Sequence, residues 1–182
     1  MDSDMYKYLH EFEDKQRTLL ASTINVPILA STLIGGALVT AILQFPYSTD
    51  LSSYLFVGFC GASILALLFA VAFVSAALIG YKYEKPKSPL VLSAHYEALV
   101  AWHIRNTSTE EEAKKEFKMD YEKNLAIATD ANGRNNRTRG KNIFWANLSL
   151  SFSILFLVAA GVLYVNAALQ QGTKIYHIRI VQ

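Results

Sequence analysis

The chain has 182 residues, 52% of them hydrophobic, and a formal net charge of only +2 at pH 7. Such a weak net charge does not single out nucleic acid as a partner. The single cysteine, Cys60, excludes an intrachain disulfide and a zinc site built from cysteines. The hydrophobic residues are concentrated in three blocks, a distribution typical of membrane proteins.

The N-terminal segment, residues 1–25, is polar at its start. Residues 1–17 hold five acidic and three basic side chains and lack the apolar core of a signal peptide. We expect a helix that begins near Asp4 and leads into the first apolar block as a cytoplasmic surface helix, or lies on the membrane as an amphipathic helix. Pro27 should bend or interrupt this helix near Asn25–Pro27.

Two apolar runs, residues 26–45 and 54–81, form the first and second blocks. A helix needs about 20 apolar residues to cross a hydrocarbon core of about 30 Å. Both runs are long enough, and residues 46–53 between them are too few for a folded domain. The sequence therefore predicts a transmembrane hairpin over residues 26–81.

Small residues recur along both spans and form a candidate helix-packing seam. Such residues let helix backbones approach closely in lipid. The seam could close the hairpin from inside, or it could be a surface for self-association that favours a homo-oligomer. Its members are Ser31, Gly35, Gly36, Gly58, Gly61, Ala62 and Ala66.

The central segment, residues 82–142, is highly charged, with 12 basic and nine acidic residues. The stretch EKPKSP near its start, residues 84–89, should end the second span. Helices are expected over Leu90–Arg105 and Thr109–Ala131, the second opened by a capping box of Ser108 and Glu111. The apolar stripe of the second helix needs a partner, and the first helix is the nearest. The two stripes are Leu92, Tyr96, Leu99, Val100 and His103, and Ala113, Phe117, Tyr121, Leu125 and Ala128.

Residues 132–142 combine glycines and asparagines, which argue for a break, with a periodicity that could carry the helix on. The third apolar block, residues 143–169, is long enough to span a membrane. Alternation within the tail, residues 170–182, suggests a short strand or an extended partner-binding arm.

Lys and Arg residues give the orientation. The segment before the first span has three, the turn none, the central segment 12 and the tail two. The more basic side should be cytoplasmic, so we expect the N-terminus and central segment inside and the tail outside. The predicted fold is all-α: a multi-pass protein of the inner (plasma) membrane of the cell, with three transmembrane helices and a cytoplasmic helical segment between the second and third.

No pattern in the sequence indicates an enzyme, a cofactor or a metal site. His95 and His103 are too far apart on one helix to chelate a metal as an i, i+4 pair would. The spans contain no Asp, Glu, Lys, Arg or His, which argues against a pump or a proton-coupled transporter. A pore between copies could still be lined by hydroxyl and amide side chains. These are Ser31, Thr32, Thr40, Asn147, Ser149, Ser151 and Ser153.

A basic cluster precedes the third span and is a candidate lipid or phosphate contact. It could set the topology and touch lipid headgroups, or it could bind a nucleotide, a nucleic acid or a phosphoinositide. No aromatic residue lies within it to stack on bases, which disfavours nucleic acid. The cluster consists of Arg134, Arg137, Arg139 and Lys141.

Two stretches, EFEDKQRTLLASTINVPILASTLIGG and ATDANGRNNRTRG, together with the order of helices, resemble the SLATT-type and related small membrane proteins of bacterial anti-phage operons. The resemblance extends over most of the chain as a pattern, and the third span is additional to the two-span SLATT plan. It implies an effector that oligomerises and breaches the membrane when a partner signals infection. It brings no catalytic residues.

The sequence thus leads to two hypotheses of function. The first is a non-enzymatic membrane effector or pore-forming subunit, controlled through its cytoplasmic helices and acting in anti-phage defence. The second is a membrane anchor or scaffold that recruits a soluble partner, encoded in the same operon, to the inner leaflet. They differ in whether the polar faces of the spans meet around an axis in an oligomer or are buried within one monomer.

Overall fold

The computed structural model describes residues 3–106 and 109–180. Five helices make up this part of the chain: α1 (Ser3–Thr23), α2 (Asn25–Gln44), α3 (Leu51–Leu78), α4 (Pro89–Arg105) and α5 (Glu110–Ile180). No strand occurs in these ranges, so the prediction of an all-α protein is confirmed. Three helical stretches are long and apolar enough to cross a membrane, within residues 5–44, 51–78 and 110–170.

The predicted interruption near Asn25–Pro27 is confirmed and is one residue wide. Ile24 separates α1 from α2, and Pro27 lies in the first turn of α2. Proline is tolerated there because backbone N–H groups of the first turn have no partner within the helix. The backbone N–H of Ile28 donates to the Ile24 carbonyl at 3.5 Å, at the start of α2.

Asp50 sets the start of α3. Its carboxylate accepts hydrogen bonds from the backbone N–H of Ser53 at 3.2 Å and from the Ser48 hydroxyl at 2.6 Å. Bonds from Ser48 and Ser53 lower the pKa of the Asp50 carboxyl. This cap begins the helix at Leu51, three residues before the predicted start at Tyr54.

The prediction placed the end of α3 at residue 81, three residues beyond its observed end. The helix stops at Leu78, and Gly80 follows with a φ of 94°. That left-handed conformation favours glycine, which has no Cβ to clash. A glycine therefore ends the span, before the chain reaches the EKPKSP stretch that was expected to do so.

Side-chain caps explain where the next two helices begin. Ser88 caps α4 and Pro89 is its first residue, which agrees with the helix predicted from Leu90. At the start of α5 the Glu112 backbone N–H donates to the Thr109 hydroxyl at 3.3 Å, and the Glu112 carboxylate accepts from the Thr109 N–H at 3.1 Å. The capping box is thus one residue later than predicted, and Ser108 lies outside the described residues.

α5 is a single helix of 71 residues. It has no break at residues 132–142, because a buried stripe with spacings of three and four continues through them. The prediction of a strand or an extended arm in the tail was wrong, because α5 continues to Ile180. Each residue added to an existing helix gains one backbone hydrogen bond, which favours its continuation. The buried stripe is Ala113, Leu125, Ala128, Asn132, Asn136, Arg139, Ile143, Ala146, Leu150, Ser153 and Ala160.

The chain divides into two compact units. The first, which we call the polar unit, consists of Met1–Ala21 and Gly80–Thr138 and holds α1, the linker 80–88, α4 and the first part of α5. The second, the apolar unit, consists of Ser22–Ile79 and Arg139–Gln182 and holds α2, α3 and the remainder of α5. Its core is built from Ile34, Leu38, Phe45, Phe56, Cys60, Ala70, Leu150 and Ala160.

Candidate functional site

Asn132 of α5 fixes the linker of the polar unit. Its amide oxygen accepts from the Glu84 backbone N–H at 2.9 Å, and its amide nitrogen donates to the Glu84 carbonyl at 3.0 Å. The side chain thus binds both backbone groups of one residue, as a neighbouring strand would. Asn132 thus supplies the backbone hydrogen bonds that an irregular linker cannot make with itself.

Asn136, one turn further along α5, joins α1 to the same linker. Its amide nitrogen donates to the Glu13 carbonyl at 2.7 Å and to the Glu13 carboxylate at 2.8 Å. Its amide oxygen accepts from the Tyr83 hydroxyl at 2.7 Å. The Arg17 guanidinium lies over the Tyr83 ring at 4.5 Å, a cation–π contact. The glycines and asparagines of this stretch therefore build a junction rather than a turn.

Gly133 lies where α1 comes close to α5. A Cβ atom at this position would lie 3.3 Å from the Glu13 carboxylate, which is tighter than most real contacts. The glycine leaves room for the carboxylate that Asn136 binds. Asn135 adds a further bond, since its amide nitrogen donates to the Lys82 carbonyl at 2.6 Å.

The predicted basic cluster does not form one surface. Arg134, Arg137 and Lys141 are exposed, and Arg134 forms an ion pair with Asp130 at 3.0 Å. Arg139 is buried within the apolar unit, where its Nε donates to the Ala77 carbonyl at 3.0 Å. It binds the last turn of α3, whose carbonyls have no partner in the helix. Lipid or phosphate binding by the three exposed members stays a prediction.

The inner face of α4 packs against α5, as the two predicted stripes required. The Tyr96 and Phe117 rings meet edge to face, with centroids 5.4 Å apart. His103 Nε2 lies 2.8 Å from the Glu116 carboxylate, and the His103 side chain is buried. Partial desolvation and the neighbouring Glu110 raise the pKa of the Tyr96 phenol. His103 therefore has a structural role in this helix pair.

Large apolar side chains are exposed on the part of α4 that points away from α5, which we call its outer face. The exposed fractions of Leu90, Trp102 and Ile104 are 81%, 56% and 63%. Trp102 and Ile104 are two positions apart and therefore lie on opposite flanks of this face, and the exposed Glu97 and Arg105 lie between them around the helix. Large apolar side chains that stay exposed are candidates for contact with another molecule.

A cavity of about 320 Å³ lies in the polar unit and is partly open to solvent, since its lining residue Ile127 is exposed. One wall is the linker at residues 84–87, and another is the part of α5 between Tyr121 and Ala131. Leu92 of α4 lines it as well, and most of the α5 wall is apolar. The cavity thus combines an apolar interior with the charged side chains of the linker.

The predicted packing seam divides into two sets. Gly35 faces α3, since a Cβ atom on it would lie 3.8 Å from Leu67 Cδ2, and Ser31, Ala62 and Ala66 are half-buried. The other three glycines are exposed, and a Cβ atom on any of them would meet no atom within 4 Å. These are Gly36, Gly58 and Gly61. The inner seam is therefore small, and the outward glycines leave self-association open.

Polar side chains within the apolar unit are satisfied inside one chain where they are buried. Ser63 of α3 and Ser153 of α5 are fully buried and bonded to each other. The exposed Thr32, Thr40 and Ser151 donate to the carbonyl four residues earlier in their own helix. The three acceptors are Ile28, Gly36 and Asn147. Such bonds satisfy hydroxyls in a membrane helix without a pore.

Sequence reasoning missed the junction residues Asn132 and Asn136 because it followed charge. The signal was present in the spacing, since both continue the stripe of Leu125 and Ala128 at intervals of four. An asparagine inside a helical stripe is expected to find hydrogen-bond partners if it is buried. Among the described residues, no group of three His, Cys, Asp or Glu side chains could hold a metal ion.

Comparisons with known proteins give no relative to compare with this site. No family model, curated protein or solved structure matches the chain.

Proposed function

We propose that the protein is a three-span membrane anchor that holds its polar unit at the cytoplasmic face of the membrane, where the outer face of α4 recruits a soluble protein partner. The observation that carries the proposal is the exposure of three large apolar side chains on α4, those of Leu90, Trp102 and Ile104. Exposed apolar side chains on a charged, water-exposed unit are typical of a protein-binding site, where they pack against the partner. The cytoplasmic location comes from the distribution of Lys and Arg.

The contacts within the apolar unit favour an anchor over a channel. The buried hydroxyls of Ser63 and Ser153 pair with each other, so they are not available to line a pore between copies. The exposed hydroxyls are bonded within their own helices. An anchor needs only apolar spans of sufficient length, which three helical stretches provide.

Photo-crosslinking in the native host would test the recruitment. A photoreactive amino acid at Trp102 should crosslink a soluble protein, whereas the same probe at Lys115, on α5, should not. The double variant Leu90→Lys and Ile104→Lys, combined with the probe, should abolish the adduct while the membrane level of the protein is unchanged. Adducts with lipid alone, or with a second copy alone, would contradict the recruitment of a soluble partner.

A second candidate is an oligomeric effector that breaches the membrane, and the outward glycines favour it. Gly36 and Gly61 leave space on the surface of α2 and α3 where another helix could approach closely. Induced expression should then depolarise the bacterial membrane, as measured with a voltage-sensitive dye. The Gly36→Glu variant should remove the depolarisation at equal protein level. An unchanged potential, both alone and with the neighbouring genes, would favour the anchor.

A further inference from the structure

We propose that the cavity of the polar unit is a binding site for a small amphipathic anion, a molecule with a short apolar body and one carboxylate or phosphate head group. The cavity of about 320 Å³ lies at the lower end of the range of ligand pockets, which suits a short chain or a single ring. This inference does not depend on the function proposed for the outer face of α4, because the two surfaces are different.

The interior of the cavity is built for an apolar body. Leu92 on α4 and Leu125, Ile127 and Ala128 on α5 line it. Apolar walls gain little from contact with water, so a cavity of this size is better filled by a hydrocarbon group. Tyr121 and Asn124 add polar groups to the same wall, as in most ligand pockets.

The linker supplies the charge. Lys85 and Lys87 both line the cavity, against a single carboxylate, that of Glu84. Within the part of the chain that the structure describes, neither lysine forms an ion pair. Two ammonium groups at the edge of an apolar cavity favour a ligand whose head group is negative.

The linker wall is held in place without a ligand. Asn132 binds both backbone groups of Glu84 at one end. At the other end the Ser88 carbonyl accepts from the Leu92 N–H at 3.0 Å, in the first turn of α4. Pro86, between the two lysines, has a fixed φ. A ligand therefore does not have to order the linker, which lowers the cost of binding.

A cysteine-protection experiment on the full-length protein in nanodiscs tests the site. The variant Ala131→Cys in a Cys60→Ala background places a thiol in the cavity wall, and its alkylation by N-ethylmaleimide is timed. Saturating octanoate should slow alkylation about tenfold, and octylammonium should not. The double variant Lys85→Gln and Lys87→Gln should raise the octanoate concentration for half-protection about tenfold, the effect expected for losing a bond to a charged group.

Matched controls separate anion recognition from a general loss of charge. Lys82→Gln with Lys115→Gln removes the same charge outside the cavity and should leave protection unchanged. Ala128→Trp should fill the cavity, and octanoate should then change the alkylation rate by less than twofold, while the thermal unfolding midpoint shows that the variant folds. Equal protection by octanoate and octylammonium, or by neither, would overturn the proposal.

The source of the ligand can be distinguished in the same assay. Octanoate is added from bulk water, whereas dioctanoyl phosphatidic acid, with acyl chains of the same length, is supplied within the nanodisc bilayer. Protection by octanoate alone identifies a free solute, and protection by the phosphatidic acid identifies an anion delivered from the membrane. Either result supports the site, and failure of both overturns it.

Discussion

The hydroxyls of Ser63 and Ser153 lie 2.9 Å apart, and each donates to the backbone carbonyl of the other residue. The two residues are 90 positions apart in the chain, and both are fully buried in the apolar unit. Their small side chains let α3 and α5 approach closely, and their reciprocal bonds satisfy both hydroxyls away from water. The pair joins the third span to the hairpin.

Removing either hydroxyl should weaken the helix bundle slightly. We expect Ser63→Ala or Ser153→Ala to lower the free energy of unfolding by about 0.6 kcal/mol, the average for polar contacts between membrane helices. Ser63→Leu should cost about 1 to 3 kcal/mol, because the site has no space for a larger side chain. Titration with a denaturing detergent in mixed micelles measures both. Ser151→Ala is the control, since that hydroxyl bonds only within α5.

Removing the Asn136 side chain should destabilise the polar unit more than removing a serine hydroxyl destabilises the apolar unit. Asn136→Ala removes bonds to the Glu13 carbonyl, the Glu13 carboxylate and the Tyr83 hydroxyl. We expect a loss of about 1 to 2 kcal/mol, because the partners are left without an equivalent bond. Hydrogen exchange of α1 amides should speed up accordingly. Asn124→Ala is the matched control, since its amide donates only to the Asp120 carbonyl of the same helix. Equal effects of the two variants would refute the junction.

The two sets of side chains at residues 132–142 explain how far the sequence could predict this region. The basic residues were visible at once, yet three of them are exposed and make few contacts. The asparagines form hydrogen bonds to α1 and to the linker, because the helix places positions 132 and 136 on the same buried face as Leu125 and Ala128. Composition argued for a break, but the spacing of three and four continued. The periodicity predicted the helix correctly, because a buried asparagine is tolerated within a helix when its amide forms hydrogen bonds with neighbouring segments.

Other elements were predictable to different degrees. The three spans and α4 follow from length and apolar content, which a bilayer imposes directly. The start of α5 depended on a one-residue choice between neighbouring caps, Ser108 or Thr109, which differ little in energy. The ends of α3 were each displaced by three residues, because Asp50 and Gly80 determine them rather than the limits of the apolar run. The cavity and the pairing of Ser63 with Ser153 depend on contacts between distant segments, so no local pattern could reveal them.

Arg139 should contribute to stability, and Arg137 should not. Arg139→Gln removes the bond to the Ala77 carbonyl and a positive charge at the C-terminal end of α3. We expect the free energy of unfolding to fall by about 1.5 kcal/mol or more, the range for hydrogen bonds to charged groups. Arg137 is exposed, so Arg137→Gln should change stability by less than about 0.5 kcal/mol. The ranking is checked by detergent-induced unfolding, and an equal loss in both variants would contradict the distinct role of Arg139.

The cap at Asp50 predicts a change in stability in acid. The pKa of Asp50 is lowered in the folded chain, mainly by bonds from the hydroxyls of Ser48 and Ser53. A lowered pKa gives stability that is fully present above the unfolded value near 3.9 and is lost as the pH falls through the folded value. The thermal unfolding temperature should therefore decrease when the pH is lowered below about 4. The Asp50→Asn variant keeps a side-chain cap without the titrating group, so its unfolding temperature should decrease less steeply over the same pH range. Parallel pH profiles of the two proteins would show that Asp50 does not cause the decline.

The adjacent glycines Gly35 and Gly36 offer the sharpest test between an anchor and an oligomer. A Cβ atom on Gly35 would already touch Leu67, whereas one on Gly36 would meet nothing within 4 Å. Gly35→Leu should therefore destabilise the hairpin in every case, by about 1 to 3 kcal/mol for overpacking. Gly36→Leu should leave a monomeric bundle as stable as before, or slightly more stable, because leucine is the better helix former. Crosslinking in membranes then decides the function. An oligomer that uses Gly36 would lose its crosslinked species in Gly36→Leu at unchanged monomer stability, and an anchor would show no such species in either protein.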